Sequence, residues 1–168
     1  IRDGYNGIEV VGPAANTTDN AAYVTIRNCW IHNNGDRSAP KKFSAQGILL
    51  VSVYDVLVEQ NTIERNGLTT SDDFLVHGIY LSDFYQKGMG DITIRNNTLR
   101  EHGGGGIQVF SDGGFTTRIT VVSNAFVNNT HELIAVRLSN STVYNNTFQH
   151  DWHPNSTSPD SSVLWFEL

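Results

Sequence analysis

An all-β solenoid of short, stacked parallel strands is the fold this sequence predicts, and three observations predict it: one recurring apolar string, a second string interleaved with it, and spacings too short for helices. The first string is small-apolar-x-apolar: Gly7-Ile8-Glu9-Val10, Gly47-Ile48-Leu49-Leu50, Gly78-Ile79-Tyr80-Leu81, Gly106-Ile107-Gln108-Val109, Ala135-Val136-Arg137-Leu138 and Ser162-Val163-Leu164-Trp165. Its starts, at 7, 47, 78, 106, 135 and 162, are separated by 40, 31, 28, 29 and 27 residues. The second string reads Ile26-Arg27-Asn28-Cys29-Trp30-Ile31, Val58-Glu59-Gln60-Asn61-Thr62-Ile63, Ile94-Arg95-Asn96-Asn97-Thr98-Leu99, Val121-Val122-Ser123-Asn124-Ala125-Phe126 and Val143-Tyr144-Asn145-Asn146-Thr147-Phe148.

Each string is a handful of β-branched, alternating residues, which favours strands and leaves no room for a crossover helix. Coiling the chain is then the way to put successive short strands in parallel register, each stacked on its counterpart at about 4.8 Å. The prediction is a right-handed parallel β-helix of about six coils, with at least two strands per coil, forming a single domain over residues 1–168. Equivalent residues should form columns. Ile8, Ile48, Ile79, Ile107, Val136 and Val163 fill the bore, with Val10, Leu50, Leu81, Val109, Leu138 and Trp165 beside them. Asn61, Asn97, Asn124 and Asn146 form an asparagine ladder at the bend of the second string, where an amide satisfies backbone groups left over at a turn. Cys29 takes the same place in the first coil as a small buried substitute. Both ends read as cut from a longer solenoid, so continuation or end-to-end association is expected.

Composition narrows the function. The chain of 168 residues has 17 acidic and 11 basic side chains, a formal charge of −6, which opposes nucleic acid. No run reaches the roughly 18 apolar residues of a membrane span. The lone cysteine, Cys29, forms no internal disulfide. Six Asn-x-Ser/Thr sequons begin at Asn16, Asn96, Asn128, Asn140, Asn145 and Asn155, and the structural repeat explains them better than glycosylation.

Function on such a scaffold is expected from loops. Long insertions at 36–46 and 68–76 lead into the first string, and others at 83–90 and 112–117 leave it, giving two walls. The groove floor between them is the outward column Glu9, Leu49, Tyr80, Gln108, Arg137 and Leu164. His77, Tyr80 and Arg137 are the candidate catalytic residues. For β-elimination on a uronate sugar, Arg137 would neutralise the carboxylate, a His or Lys would take the proton, and Tyr80 would protonate the leaving oxygen. Gln108, Lys87, Asp112, His131 and Tyr85 are candidate substrate contacts. Asp72, Asp73 and Asp83 could instead perform glycoside hydrolysis or hold Ca²⁺ through hard oxygen ligands. Packing competes as a role for His77 and Tyr80, and turn chemistry competes for Asp72 and Asp73. Arg27, Glu59 and Arg95 read as a solvated charge ladder, and Gly103 to Gly106 as a flexible coil corner rather than a phosphate cradle.

The Gly-Ile-x-Leu and Ile-Arg-Asn-Asn-Thr strings resemble the β-helix repeats of the pectate-lyase-like superfamily over nearly the whole chain. That resemblance implies a secreted or cell-surface protein with a polysaccharide partner, acting as a polysaccharide lyase or glycoside hydrolase. The alternative it implies is a non-catalytic carbohydrate-binding or structural module of a surface, adhesin or filament protein. The chain departs from the polygalacturonase-like pattern: Asp72-Asp73 and His77-Gly78 are present, but Asn-Thr-Asp and Gly-His-Gly are not.

Overall fold

The computed structural model describes residues 1–12, 23–35, 46–67, 76–83, 88–111, 116–136, 138–149 and 164–167, with side chains of 134–136 and 164–167 left aside. Strands, numbered in chain order, form three parallel sheets. The first sheet holds Ile8–Val11 (β1), Gln46–Val51 (β4), His77–Ser82 (β7), Gly105–Phe110 (β10), His131–Val136 (β13) and Leu164–Glu167 (β17), stacked in that order. The second holds Val24–Arg27 (β2), Tyr54–Glu59 (β5), Met89–Arg95 (β8) and Thr116–Val122 (β11), with Leu138–Ser139 (β14) and Thr142–Tyr144 (β15) both pairing β11. The third holds Trp30–His32 (β3), Thr62–Glu64 (β6), Thr98–Arg100 (β9), Ala125–Val127 (β12) and Thr147–Gln149 (β16). Strands of one sheet come from successive coils, so the architecture is the predicted parallel β-helix.

The second string is therefore two strands with a bend between them. The bend needs a left-handed residue, supplied by Asn28, Gln60, Asn96, Ser123 and Asn145 at φ 53–55°. Asparagine tolerates that region better than most residues. The next residue is the ladder amide and the one after opens the third-sheet strand, often as Thr. This is how Asn96 and Asn145 come to begin sequons. Asn128 and Asn140 sit at other left-handed turns, at φ 55° and 47°. Asn16 and Asn155 lie outside the described residues.

Inside, the register stacks Ile48, Ile79, Ile107 and Leu133 in the first sheet, Val58, Ile94 and Val121 in the second, and Ile31, Ile63, Leu99 and Phe126 in the third. All are buried, and each contributes about 1.5–3 kcal/mol of apolar transfer. The asparagine ladder is present. Asn61, Asn97 and Asn124 each receive, on Oδ1, the backbone N–H of the ladder residue one coil earlier at 3.0 Å, and Asn146 receives that of Asn124 at 2.9 Å. Cys29 starts the column as predicted, donating its backbone N–H to Asn61, but its side chain is only half-buried.

The predicted columns fail in the last two coils of the first sheet. Ile107, Gln108 and Val109 pair with Leu133, Ile134 and Ala135, and those pair with Leu164, Trp165 and Phe166. Val136 and Arg137 therefore do not continue the Ile107 and Gln108 columns, and Val163 and Leu164 do not follow them. Leu138 and Trp165 likewise leave the Val109 column, where Ala135 and Phe166 stand. The reason lies in Glu132, which stands where earlier coils have glycine. A Cβ on Gly7, Gly47 or Gly106 would come within 2.8–3.1 Å of the amide nitrogen of Asn34, Asn66 or Asn129, and one on Gly78 within 2.5 Å of His102 Nε2. Glu132 needs no such gap, because its own carboxylate reaches back to the Asn129 backbone N–H and side-chain amide. Gly105 and Gly106 also depart from the expected flexible corner: they are buried and open β10.

Candidate functional site

The outer face of the first sheet is set by alternation: Tyr80 lies between the core residues Ile79 and Leu81, so its side chain leaves the bore. The same register places Leu49 on one side of Tyr80 and Gln108 on the other. His77 joins them, its ring centroid 5.2 Å from that of Tyr80 and tilted by 42°. Three of the predicted site residues, His77, Tyr80 and Gln108, are thus brought together.

Their environments differ. Tyr80 is half-buried, His77 is fully buried and Gln108 is 9% exposed. The Gln108 Oε1 has no hydrogen-bond partner, which leaves a strong acceptor desolvated on this face. His77 Nδ1 accepts the Gly105 backbone N–H at 3.0 Å. In the neutral ring that bond puts the proton on Nε2, so His77 presents a donor rather than a base on that side.

This bond belongs to a relay that the sequence reading missed. Asn6 Oδ1 accepts from Gln46 N at 3.0 Å, Gln46 Oε1 from His77 N at 2.7 Å, and His77 in turn from Gly105. The signal was available: the residues preceding the first three string glycines are Asn6, Gln46 and His77, each able to accept a hydrogen bond. A second unrecognised ladder runs along the inner corner. Asn34 N donates to Asn66 Oδ1, Asn66 N to His102 Nδ1, and His102 N to Asn129 Oδ1, at 3.0–3.2 Å.

His131 begins β13 opposite Gly105, and its side chain is buried. Gly105 also faces His77, so the two histidines flank one glycine in this column. Asp83 is fully buried beyond the other end of β7; its Oδ1 accepts from Ser52 Oγ at 3.3 Å and Gly88 N at 2.9 Å, and its Oδ2 has no partner. Among the described residues no group of three or more His, Cys, Asp or Glu side chains could hold a metal. Asp72, Asp73, Tyr85, Lys87, Asp112 and Arg137 lie outside the described residues, as do most of the expected groove walls. The register nevertheless corrects the floor: Ile134, not Arg137, follows Gln108, and Trp165, not Leu164, follows Ile134.

On the second sheet the expected charge ladder is present. Arg27, Glu59 and Arg95 occupy adjacent register positions, and Arg95 Nη2 binds Glu59 Oε2 at 2.8 Å. The face is less solvated than expected, because Glu59 is buried while Arg95 stays about half exposed.

No curated protein and no solved structure matches this sequence. Among the described residues no helix is long and apolar enough to cross a membrane. The family described as the right-handed beta helix region matches residues 1–148. With three parallel sheets, coil-to-coil register and a buried asparagine ladder, the chain belongs to the right-handed β-helix family.

Proposed function

We propose that this chain is an extracellular polysaccharide-handling β-helix whose first-sheet face holds a sugar chain lengthwise. One observation carries the reading: the Gln108 Oε1, desolvated and without a partner, beside the half-buried Tyr80 ring. A rotation of the Gln108 side chain that brings Oε1 to the surface lets a sugar hydroxyl supply the donor it lacks, and a pyranose face suits an aromatic ring with a polar edge. Glycosidic bond cleavage is the activity proposed for this face: Tyr80 gives its phenolic proton to the leaving oxygen, His77 holds the Tyr80 ring in place, and the base that takes the sugar's proton comes from outside this trio.

A second reading, a binding module without turnover, is favoured by a specific observation. His77 Nδ1 is engaged by the backbone, and the floor position after Gln108 is Ile134 rather than an arginine suited to a uronate carboxylate.

The full chain should be assayed on neutral and uronate polysaccharides for new reducing ends and unsaturated products, alongside calorimetric binding. Gln108→Ala is expected to weaken binding about tenfold. Tyr80→Phe and His77→Gln should abolish product with binding retained, because glutamine already performs the relay role at position 46. Binding without product in the parent chain selects the second reading. No binding to any polysaccharide overturns both.

A further inference from the structure

The outer face of the second sheet carries a trough remote in the coil from the first-sheet face, about 460 Å³ in volume and lined by Tyr23, Thr25, Asp55, Asp91, Thr93 and Arg95 among others. We infer that this trough is a second, non-catalytic saccharide site that takes a neutral oligosaccharide, with Tyr23 as its stacking platform and Asp55 as its hydroxyl acceptor.

Tyr23 is 87% exposed, the most exposed large hydrophobic side chain among the described residues. Its backbone sits at φ 62°, a region that bulky residues adopt at a cost. The equivalent turn positions in later coils are Asp55, Asp91 and Arg118, at φ 54–55°. The fold thus demands a left-handed residue here, and a tyrosine that meets the demand with so exposed a ring gains little stability from it. An apolar-faced, polar-edged ring held out over a trough is suited to a sugar face.

The polar groups fix the ligand class. Asp91 receives Arg118 Nε at 2.6 Å and Arg118 Nη2 at 2.5 Å, and Arg95 donates Nε and Nη2 to Glu59 Oε2 at 2.9 and 2.8 Å. Both walls are therefore held in place before any ligand arrives, which lowers the entropic cost of binding. Asp55 is exposed and makes no ion pair or side-chain hydrogen bond. The Asp91–Arg118 pair is neutral, and the Arg27–Glu59–Arg95 ladder carries one positive charge that offsets Asp55, so the face around the trough is close to neutral. Arg95, the cation of the lining, is already bound to Glu59, so uronates and phosphates gain no ion pair there, while the Asp55 carboxylate accepts from adjacent sugar hydroxyls. The threonine hydroxyls of the floor donate or accept as the ligand requires.

The choice of saccharide as ligand class rests on the reading of the first-sheet face, and the test separates the two. The isotope-labelled full chain is titrated with a neutral β-linked glucan hexasaccharide and, separately, with a uronate hexasaccharide, following backbone amide shifts. Neutral sugar should move the amides of Thr25, Leu57 and Thr93 saturably. Tyr23→Ala and Asp55→Asn should each weaken that response at least about fivefold while Gln108→Ala leaves it unchanged. The uronate should bind at least about tenfold more weakly at these amides. Unmoved amides on the second sheet, equal response to both sugars, or indifference to Tyr23→Ala overturns the inference. Shifts near Tyr80 and Gln108 in the same titrations report on the first-sheet reading independently.

Discussion

Burial holds the His102 imidazole neutral inside the inner ladder and pushes its pKa down to about 3. In the unfolded chain the ring would titrate near its ordinary value of about 6.5. Between these values the unfolded state binds the extra proton. The stability contribution is therefore complete above about pH 6.5 and is lost progressively as pH falls toward about 3. Two pH units of that window correspond to about 2–3 kcal/mol. Asparagine fills the equivalent place at Asn34, Asn66 and Asn129 and does not titrate. His102→Asn is thus expected to flatten the acid limb of the stability curve by this amount, measured by urea unfolding at about pH 7 and about pH 4.5. An unchanged pH dependence would place the ring outside the ladder. In the sequence His102 carried no signal, because it precedes the glycine run and no other ladder residue is a histidine. Asn61, Asn97 and Asn124 were legible because each follows a turn residue in a string that repeats almost literally.

At the level of the strand, the glycine at the start of the first four first-sheet strands is the feature that both shapes the coil and betrays it in sequence. Gly78 is the tightest case for a side-chain neighbour: an added Cβ would meet His102 Nε2 at 2.5 Å and the Gly106 carbonyl oxygen at 2.6 Å. The imidazole is fixed by its ladder bond, and the carbonyl belongs to the next rung, so neither yields without moving a strand. Gly78→Ala should cost about 1–3 kcal/mol, seen as a lower urea midpoint with the slope unchanged. Stability equal to the parent would mean that the ladder does not pack against this glycine. The same feature explains where the sequence misled. Glu132 fills the ladder slot with its own carboxylate, the glycine disappears, and the nearby Ala135-Val136-Arg137-Leu138 imitates the string three residues late. The third sheet escaped notice for a related reason: its strands are only three residues long and share a string with the second sheet, so the bend between them leaves no break in the pattern.

Across the whole molecule, architecture was legible because a solenoid repeats one set of local demands, and each repetition prints the same residues at the same places. The candidate site was only partly legible. Tyr80 and Gln108 share a face because alternation dictates it. His77 reads like a catalytic residue in sequence, while in three dimensions it is also a structural rung, and hydrogen bonding of one ring nitrogen cannot be inferred from spacing. Arg137 was assigned to the floor through a register that the fold does not adopt, and this matters for function, since an arginine there favours a uronate and an isoleucine does not. The stacking order therefore decides the chemistry of the first-sheet face, and disulfide cross-linking in a Cys29→Ser background measures it directly. Register partners in adjacent strands lie about 4.8 Å apart, within the Cα separation of about 4.4–6.8 Å that a disulfide spans. The pair Gln108→Cys with Ile134→Cys should oxidise to an intramolecular bridge, and Gln108→Cys with Arg137→Cys should stay reduced. A bridge between positions 108 and 137, with none between 108 and 134, would contradict the stacking on which the whole account stands.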